Sequence, residues 1–395
     1  MLHISDARER LLVRAADIAL GAASAAARPF RRRSSAGEPR RILLVRLERI
    51  GDLVMALPAI RDVRALAPSA TIDLVVGSWN ASLARAVPSI DHVETLDARW
   101  LARERDGVGL GSMVRVARTW RARNYDLAIN FEPDIRSNLL MAAVGAARTA
   151  GWASGGGGPL LDVSLDYDRS LHTSANARRL VAAAFGRQPS ESARPLLTIP
   201  DAAAASAAAH LRLAAGRPMV GVHVSGGRAI KQWEPARFAE VASRLADTRG
   251  AVIVATGGPG DRKLVDGLRA ALAPRVVIDA CGDDDLLASA ALVARLDLLV
   301  TGDTGPMHLA AAVGTPVVAV FGPSDPVRYA TTGPLDRVVR VDLPCSPCNR
   351  IRQPPRRCVG HTPDCLVHVT TDQVVAAAMS VLDAAQQTLS SAGGK

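Results

Sequence analysis

Along the 395-residue chain, short unbroken apolar runs alternate with longer segments whose apolar residues recur every three or four positions. The run Arg41-Ile-Leu-Leu-Val-Arg46 predicts a strand buried on both faces of a parallel sheet. A helix is expected from Leu53 to Leu66, closed before Pro68. Thr71–Val76 predicts a second strand, Met113–Arg123 a basic helix and Tyr125–Asn130 a further strand. Gly155–Gly158 reads as a loop, Ser174–Phe185 as a helix and Gln188–Pro200 as a connector. Asp201–Ala215 is alanine-rich and predicts a helix with Asp201 at its N-cap. The pattern then restarts. Strands are expected at Met219–Val224, Ala251–Ala255, Val276–Asp279, Leu296–Thr301 and Val317–Phe321. Helices are expected between them at Pro235–Ala246, Asp261–Leu272, Asp285–Ala294 and Pro306–Val313.

Strands alternating with helices predict an α/β protein with open parallel sheets. Two Rossmann-like halves should meet near residue 200: a tail over 1–40, a first domain over 41–200, a second over 201–380 and a flexible C-terminus over 381–395. Ligands of such sheets bind beyond the carboxyl ends of the strands, so a cleft between the two sheets is the expected site.

Before the first strand, residues 1–27 predict an amphipathic helix with Leu11, Leu12, Ala15, Ile18 and Ala22 on one side. Arg28–Arg41 reads as a basic linker. The simpler expectation is a solvated tail. The alternative is a weak anchor to anionic lipid.

Composition narrows the function. Hydrophobic residues make up 48% and charged residues 22%, as in a globular protein rather than a disordered one. Aromatic residues are 3%, too few for a platform that stacks single-stranded nucleic acid. The net charge is +10, and half of that excess lies in residues 1–41, where nine arginines meet four acidic residues. The body is only mildly basic, so no nucleic-acid footprint is expected. Leu11–Ala27 is interrupted by Arg14 and Asp17, which suits neither a membrane span nor a signal peptide, and the protein reads as cytoplasmic. An odd count of five cysteines argues against a disulfide framework.

Three segments carry candidate chemistry. In Leu298-Leu-Val-Thr-Gly-Asp-Thr-Gly-Pro-Met-His-Leu-Ala310 a strand ends, Asp303, Thr304 and Gly305 turn the chain, and a helix opens at Pro306. Thr304 is placed to cap that helix. Its first N–H groups would face the strand ends and could hold a diphosphate, with His308 one turn further. In Val222-His-Val-Ser-Gly-Gly-Arg-Ala-Ile-Lys-Gln-Trp-Glu-Pro235 a strand ends in a Ser-Gly-Gly turn followed by Arg228 and Lys231. Small residues let backbone approach a phosphate, and lysine supplies a point charge. Asp52 opens a helix just after the first strand, where a carboxylate stays ionised and could act as a base. No G-x-G-x-x-G follows the first strand and no P-loop occurs.

Together these residues resemble glycosyltransferase family nine, the ADP-heptose heptosyltransferases of lipopolysaccharide synthesis. The match runs through Arg46…Ile50-Gly51-Asp52…Leu57-Pro58, Lys231-Gln-Trp233, Asp303-Thr-Gly-Pro-Met-His308 and Phe321-Gly-Pro323, over about residues 41–380. The resemblance implies a GT-B fold, two Rossmann-like domains facing each other across a cleft, and an inverting transfer without metal or other cofactor. It implies Asp52 as catalytic base beside Gly51, and Lys231 near the donor phosphates. Asp303, Thr304, Gly305 and His308 fall on the donor loop, Ser225 is the main hydroxyl of the middle turn, and Asp261 approximates the nucleotide-side acid. The implied partners are a nucleotide-sugar donor and an anionic lipid-linked oligosaccharide acceptor, on the cytoplasmic face of the inner membrane. Arg115, Arg118, Arg121 and Arg123 would either attract that acceptor or form a solvated helix face. The alternatives are a same-fold transferase or epimerase using another sugar nucleotide, and a noncatalytic binding protein of this fold. Cys345-x-x-Cys348, Cys358 and Cys365 are compatible with a tetrahedral zinc site or with reduced thiols.

Overall fold

A computed structural model describes residues 2, 3, 6–27, 37–101, 107–190, 192, 194–214, 216–282 and 285–392. The chain divides into two units, Met1–Thr198 and Ile199–Lys395.

In the first unit the elements follow in the order α1 (Ala7–Ala27), β1 (Arg41–Arg46), α2 (Ile50–Leu66), β2 (Thr71–Val76), α3 (Ala81–Arg85), β3 (His92–Thr95), α4 (Leu110–Thr119), β4 (Leu127–Asn130), α5 (Ile135–Val144), β5 (Arg148–Trp152), β6 (Val163–Leu165) and α6 (Thr173–Phe185). The six strands form one parallel sheet in the order β3-β2-β1-β4-β5-β6. The apolar run of β1 sits at its centre, with Ile42, Leu43, Leu44 and Val45 buried. It pairs with β2 through Leu44 and Leu74, and with β4 through Leu44 and Ile129. Both neighbours cover its backbone, and helices cover both faces, which is why the run shows no polar alternation.

The second unit repeats the plan: α7 (Asp201–His210), β7 (Met219–His223), α8 (Pro235–Arg249), β8 (Val252–Gly257), α9 (Arg262–Leu272), β9 (Val277–Cys281), α10 (Leu286–Val293), β10 (Leu298–Gly302), α11 (Gly305–Val313), β11 (Val317–Val320), α12 (Pro326–Tyr329), β12 (Arg337–Val339), α13 (Asp364–Val367) and α14 (Thr371–Ala392). Its parallel sheet runs β12-β11-β10-β7-β8-β9. One face packs on α8, α9 and α14 through Phe238, Val241, Leu268, Val374 and Val381. The other packs on α7, α10 and α11 through Ala207, Leu292 and Met307.

In both units the strand order reverses between the first and fourth strands, so β1/β4 and β7/β10 are the switch points where such sheets bind ligands.

Several expectations change. The helix after β1 begins at Ile50 rather than Leu53, placing Asp52 inside its first turn. Pro200, not Asp201, is the N-cap of α7, and the helix stops at His210; Ala215 lies outside the described residues. The basic helix is α4 followed by a 3₁₀ turn over Trp120–Arg123. The expected flexible C-terminus is helical through Ala392, with Val381 and Leu382 buried in the core, while residues 393–395 lie outside the description. The linker is described only from residue 37, and residues 191 and 193 of the connector also lie outside.

The solvated-tail expectation fails for α1. Val13 is buried, the Gly157 N–H donates to Asp17 Oδ1 at 2.6 Å, and the His3 N–H donates to the Ser154 carbonyl at 2.7 Å. One side of the helix is thereby held on the loop that follows β5.

Candidate active site

The switch point of the first sheet is built around Arg46, the last residue of β1. Its guanidinium donates from Nη1 to the Phe131 carbonyl at 2.7 Å and from Nε to the Asp52 carbonyl at 3.1 Å. It also lies 2.9 Å from Glu48 Oε2 and 3.4 Å from Asp52 Oδ1. Burial pushes this guanidinium down, but the carboxylates of Glu48, Asp52 and Glu132 outweigh it and hold it above its ordinary value. A buried charge needs such company. Asp52 completes the first turn of α2, where its Oδ2 accepts the Arg49 N–H at 3.2 Å. The Asp52 side chain keeps 31% exposure, enough to meet a substrate hydroxyl. Gly51 shares this turn.

Glu132, just beyond β4, closes the switch point from the other side. It accepts the Leu47 N–H and the Ser137 hydroxyl. Burial raises its carboxyl above the ordinary value, against those hydrogen bonds and the Arg46 charge. Asn130 donates to Asn138 Oδ1 at 2.8 Å, and Asn138 donates to the Trp152 and Gly156 carbonyls at 2.9 and 2.7 Å. Sequence reasoning missed Glu132; its signal was an acidic residue immediately after a buried strand. The loops after β1, β4 and β5 are thus tied into one frame under Asp52.

The switch point of the second sheet has the same plan. Lys231 follows β7 and Asp303 follows β10, and Lys231 Nζ lies 2.8 Å from Asp303 Oδ2 with both side chains mostly buried. The turn that delivers Lys231 is braced by Gln232. Its Oε1 accepts the Gly226 N–H at 2.6 Å, and its Nε2 donates to the Val224 and Trp233 carbonyls at 2.6 and 2.7 Å. A Cβ at Gly226 would come within 2.6 Å of the Gln232 backbone, so only glycine fits there. Trp233 is buried edge-on to Phe238, with centroids 4.8 Å apart. The Ser225 hydroxyl accepts the Gly227 N–H at 3.3 Å, at the same turn.

After β10, α11 opens at Gly305 with Pro306 in its first turn. Thr304 sits at the N-cap, but it does not cap as expected. Its hydroxyl lies 3.1 Å from Thr301 Oγ1 and donates to the Gly302 carbonyl at 3.4 Å instead. The Thr304 hydroxyl is thus turned away from the first N–H groups of α11, an arrangement suited to an anion at the helix start. His308 is buried within the same helix. Asp261 is a step removed: it follows β8, and its Oδ2 accepts the Gly258 N–H at 2.9 Å, fixing its own turn. Burial pushes the nearby His223 imidazole below its ordinary value, against the opposing influence of Asp261.

The basic stretch behaves differently from an acceptor patch. Arg121 donates to the Ala143 carbonyl at 2.8 Å, and Arg123 pairs with Asp73 at 2.9 Å and with Glu94. Arg41, the first residue of β1, donates to the Arg123 carbonyl at 3.4 Å, so Arg123 lies at the amino edge of the sheet, opposite Asp52. Arg115 and Arg118 are exposed on α4. The cysteines are all free, and Cys365 is pushed up to about 11 chiefly by burial. Among the described residues no group of three or more His, Cys, Asp or Glu is arranged to hold a metal ion. No described helix is long and apolar enough to cross a membrane.

The family model for glycosyltransferase family 9 (heptosyltransferase) matches residues 113–357. Lipopolysaccharide heptosyltransferase 1 of Pseudomonas aeruginosa is 26% identical over 327 residues, covering 78% of this chain and 86% of that protein. Among solved structures, a glycosyl transferase family 9 protein from Veillonella parvula superposes with a TM-score of 0.73 at 23% identity, over 88% of this chain and 99% of the other. The ADP-heptose lipopolysaccharide heptosyltransferase II of E. coli superposes with a TM-score of 0.69 at 21% identity, over 87% and 98%. The fold is that of these proteins, the GT-B type.

Proposed function

We propose a function from the premise that the chain belongs to glycosyltransferase family 9, and is therefore a glycosyltransferase. Its donor is ADP-L-glycero-D-manno-heptose and its acceptor a hydroxyl of the lipopolysaccharide core. The relatives' donor and acceptor support this choice. The work is assigned to the cytoplasmic face of the inner membrane, where a nucleotide donor and a lipid-linked acceptor can meet.

In this reading Asp52 takes the proton of the acceptor hydroxyl. The freed oxygen attacks the anomeric carbon from the face opposite the diphosphate, the bond to the diphosphate oxygen breaks, and ADP leaves with the electron pair. The product is inverted. Lys231 and the first N–H groups of α11 meet the charge that grows on the leaving group, stabilising the transition state more than the ground state. Asp303 holds the lysine in place, Gly305 lets the backbone come close, and Ser225, Thr304 and His308 line the donor side. Asp261 contributes on the nucleotide side. The single observation that carries the reading is the Lys231–Asp303 pair at the switch point of the second sheet, where α11 starts with its N-cap threonine hydroxyl turned away. With the leaving group's charge met by a lysine and helix N–H groups, the transfer is assigned as metal-independent.

The test is nucleotide release from a donor panel of ADP-heptose, UDP-sugars and GDP-sugars with core oligosaccharide acceptors. ADP release dependent on both heptose donor and acceptor, and retained in EDTA, is expected. Release of UDP or GDP instead overturns the donor. Loss in EDTA that magnesium restores overturns the metal-independent assignment.

A further inference from the structure

Helix α1 has two unlike faces. The inner face is docked through Val13, Asp17 and Gly21, which meet Gly156, Gly157 and Pro159 of the loop after β5. The outer face is apolar yet uncovered. Leu11, Leu12 and Ile18 are 69%, 71% and 77% exposed, and Ala15, Ala19 and Ala22 are exposed among them. Leu11, Ala15, Ile18 and Ala22 follow the four-three-four spacing that puts them on one side of a helix. Arg8, three residues before Leu11, and Arg14, four before Ile18, are exposed on the same side.

The charges are sorted as well. Asp6 Oδ1 accepts the Glu9 N–H at 2.8 Å and so closes the helix start, and Asp17 is turned inward onto Gly157. Arg8 and Arg14 are left exposed beside the leucines. In sequence, the chain leaving Ala27 adds Arg28, Arg31, Arg32 and Arg33. An apolar face bordered by arginines complements the headgroup layer of an anionic bilayer, with leucines reaching the acyl boundary and guanidiniums at the phosphates.

We propose that the outer face of α1 is a membrane-contact surface, on which the first unit rests in the headgroup layer of an anionic bilayer. The loop that carries α1 follows Trp152 at the carboxyl edge of the first sheet, the edge that also carries Asp52. The proposed surface thus belongs to a helix held on a loop of that edge. This deepens the reading of a lipid-linked acceptor, yet binding to lipid is measurable without donor or acceptor.

The experiment is co-sedimentation with vesicles of phosphatidylglycerol and phosphatidylethanolamine, and with phosphatidylcholine vesicles, at low and high salt. The intact chain is compared with two variants, Leu11→Ser/Leu12→Ser/Ile18→Ser and Arg8→Gln/Arg14→Gln. The intact chain should bind the anionic vesicles and bind neutral ones less. The apolar triple variant should lose about tenfold or more in partitioning, and the arginine variant should bind more weakly at low salt, with a reduced salt dependence. Thermal unfolding and transfer to a soluble core oligosaccharide should be unchanged in both, because the substituted side chains face solvent. Equal sedimentation of the intact chain and the triple variant overturns the proposal, as does an intact chain that binds no vesicle. A dimer that the triple variant dissolves also overturns it, since a second copy would then cover the face. Vesicle binding that depends on α1 without any transfer would instead defeat the enzymatic reading and leave the surface standing.

Discussion

Lys231 and Asp303, far apart in sequence, are joined at 2.8 Å because β7 and β10 are neighbours where the strand order of the second sheet reverses. Each residue follows its strand at the carboxyl end, so the pair lies where a ligand of this sheet would bind. The first sheet ties its corresponding loops with Glu132 and the Leu47 N–H. One device is used twice: the loop after the first strand is fastened to the loop after the fourth.

Lys231→Ala should weaken ADP binding about tenfold or more and lower kcat/KM by at least as much, while AMP affinity changes little. The lysine acts on diphosphate charge in ground and transition states alike. Titration calorimetry with ADP and AMP checks this, and equal losses for both nucleotides would place the lysine elsewhere.

Asp52→Asn removes the carboxylate while keeping the shape of the α2 first turn. Turnover should fall by roughly 10²–10⁴, the usual contribution of a general base, with ADP affinity within about twofold of the original. Single-turnover kinetics at saturating donor report the step directly. Wild-type rates in this variant would remove Asp52 from the chemistry.

Gly226→Ala forces a methyl group to within 2.6 Å of the Gln232 backbone. The turn must open, and Lys231 shifts with it. A stability loss of about 1–3 kcal/mol accompanied by weaker ADP binding is expected. Denaturant melts paired with calorimetry check both. A loss of stability with unchanged ADP affinity would show that the turn does not position the lysine.

Glu132 gives a pH signature. Burial raises its carboxyl from 4.5, so the native state holds that proton more tightly than the unfolded chain does. Its contribution is greatest below the unfolded value and is lost as pH rises through the folded one. Relative to the original chain, Glu132→Gln should therefore gain stability as pH rises from about 4.5 toward neutrality. Denaturation midpoints across that range test the sign, and parallel curves would contradict it.

Much of the fold was legible because central parallel strands such as Ile42–Val45 and Leu298–Thr301 are too apolar to be anything else. The family motif was legible for a related reason: tight turns after such strands concentrate Gly, Asp and Thr within a few residues. What escaped was short or contact-dependent. The edge strands β6 and β12 have three residues each, too few for a period to show. Arg123 reads as a free cation in sequence, and only the placement of Asp73 and Glu94 on neighbouring strands reveals it as a structural brace. The docking of α1 depends on a glycine loop more than a hundred residues away, whose lack of side chains makes room for Val13. The threonine before α11 looked like a cap because its type and position fit, yet the hydroxyl turned to Thr301.

That turned hydroxyl has a consequence for the folding of the second unit. A helix whose N-cap hydroxyl does not accept from its starting N–H groups is weaker by about 1 kcal/mol than one with a good cap. On the proposed reading the donor's diphosphate fills that place, so the metabolite serves as a removable part of the fold. At a hundredfold excess over its Kd, such a ligand adds about 2.7 kcal/mol of stability. The endurance of the enzyme against unfolding and proteolysis would then rise and fall with the supply of its own substrate.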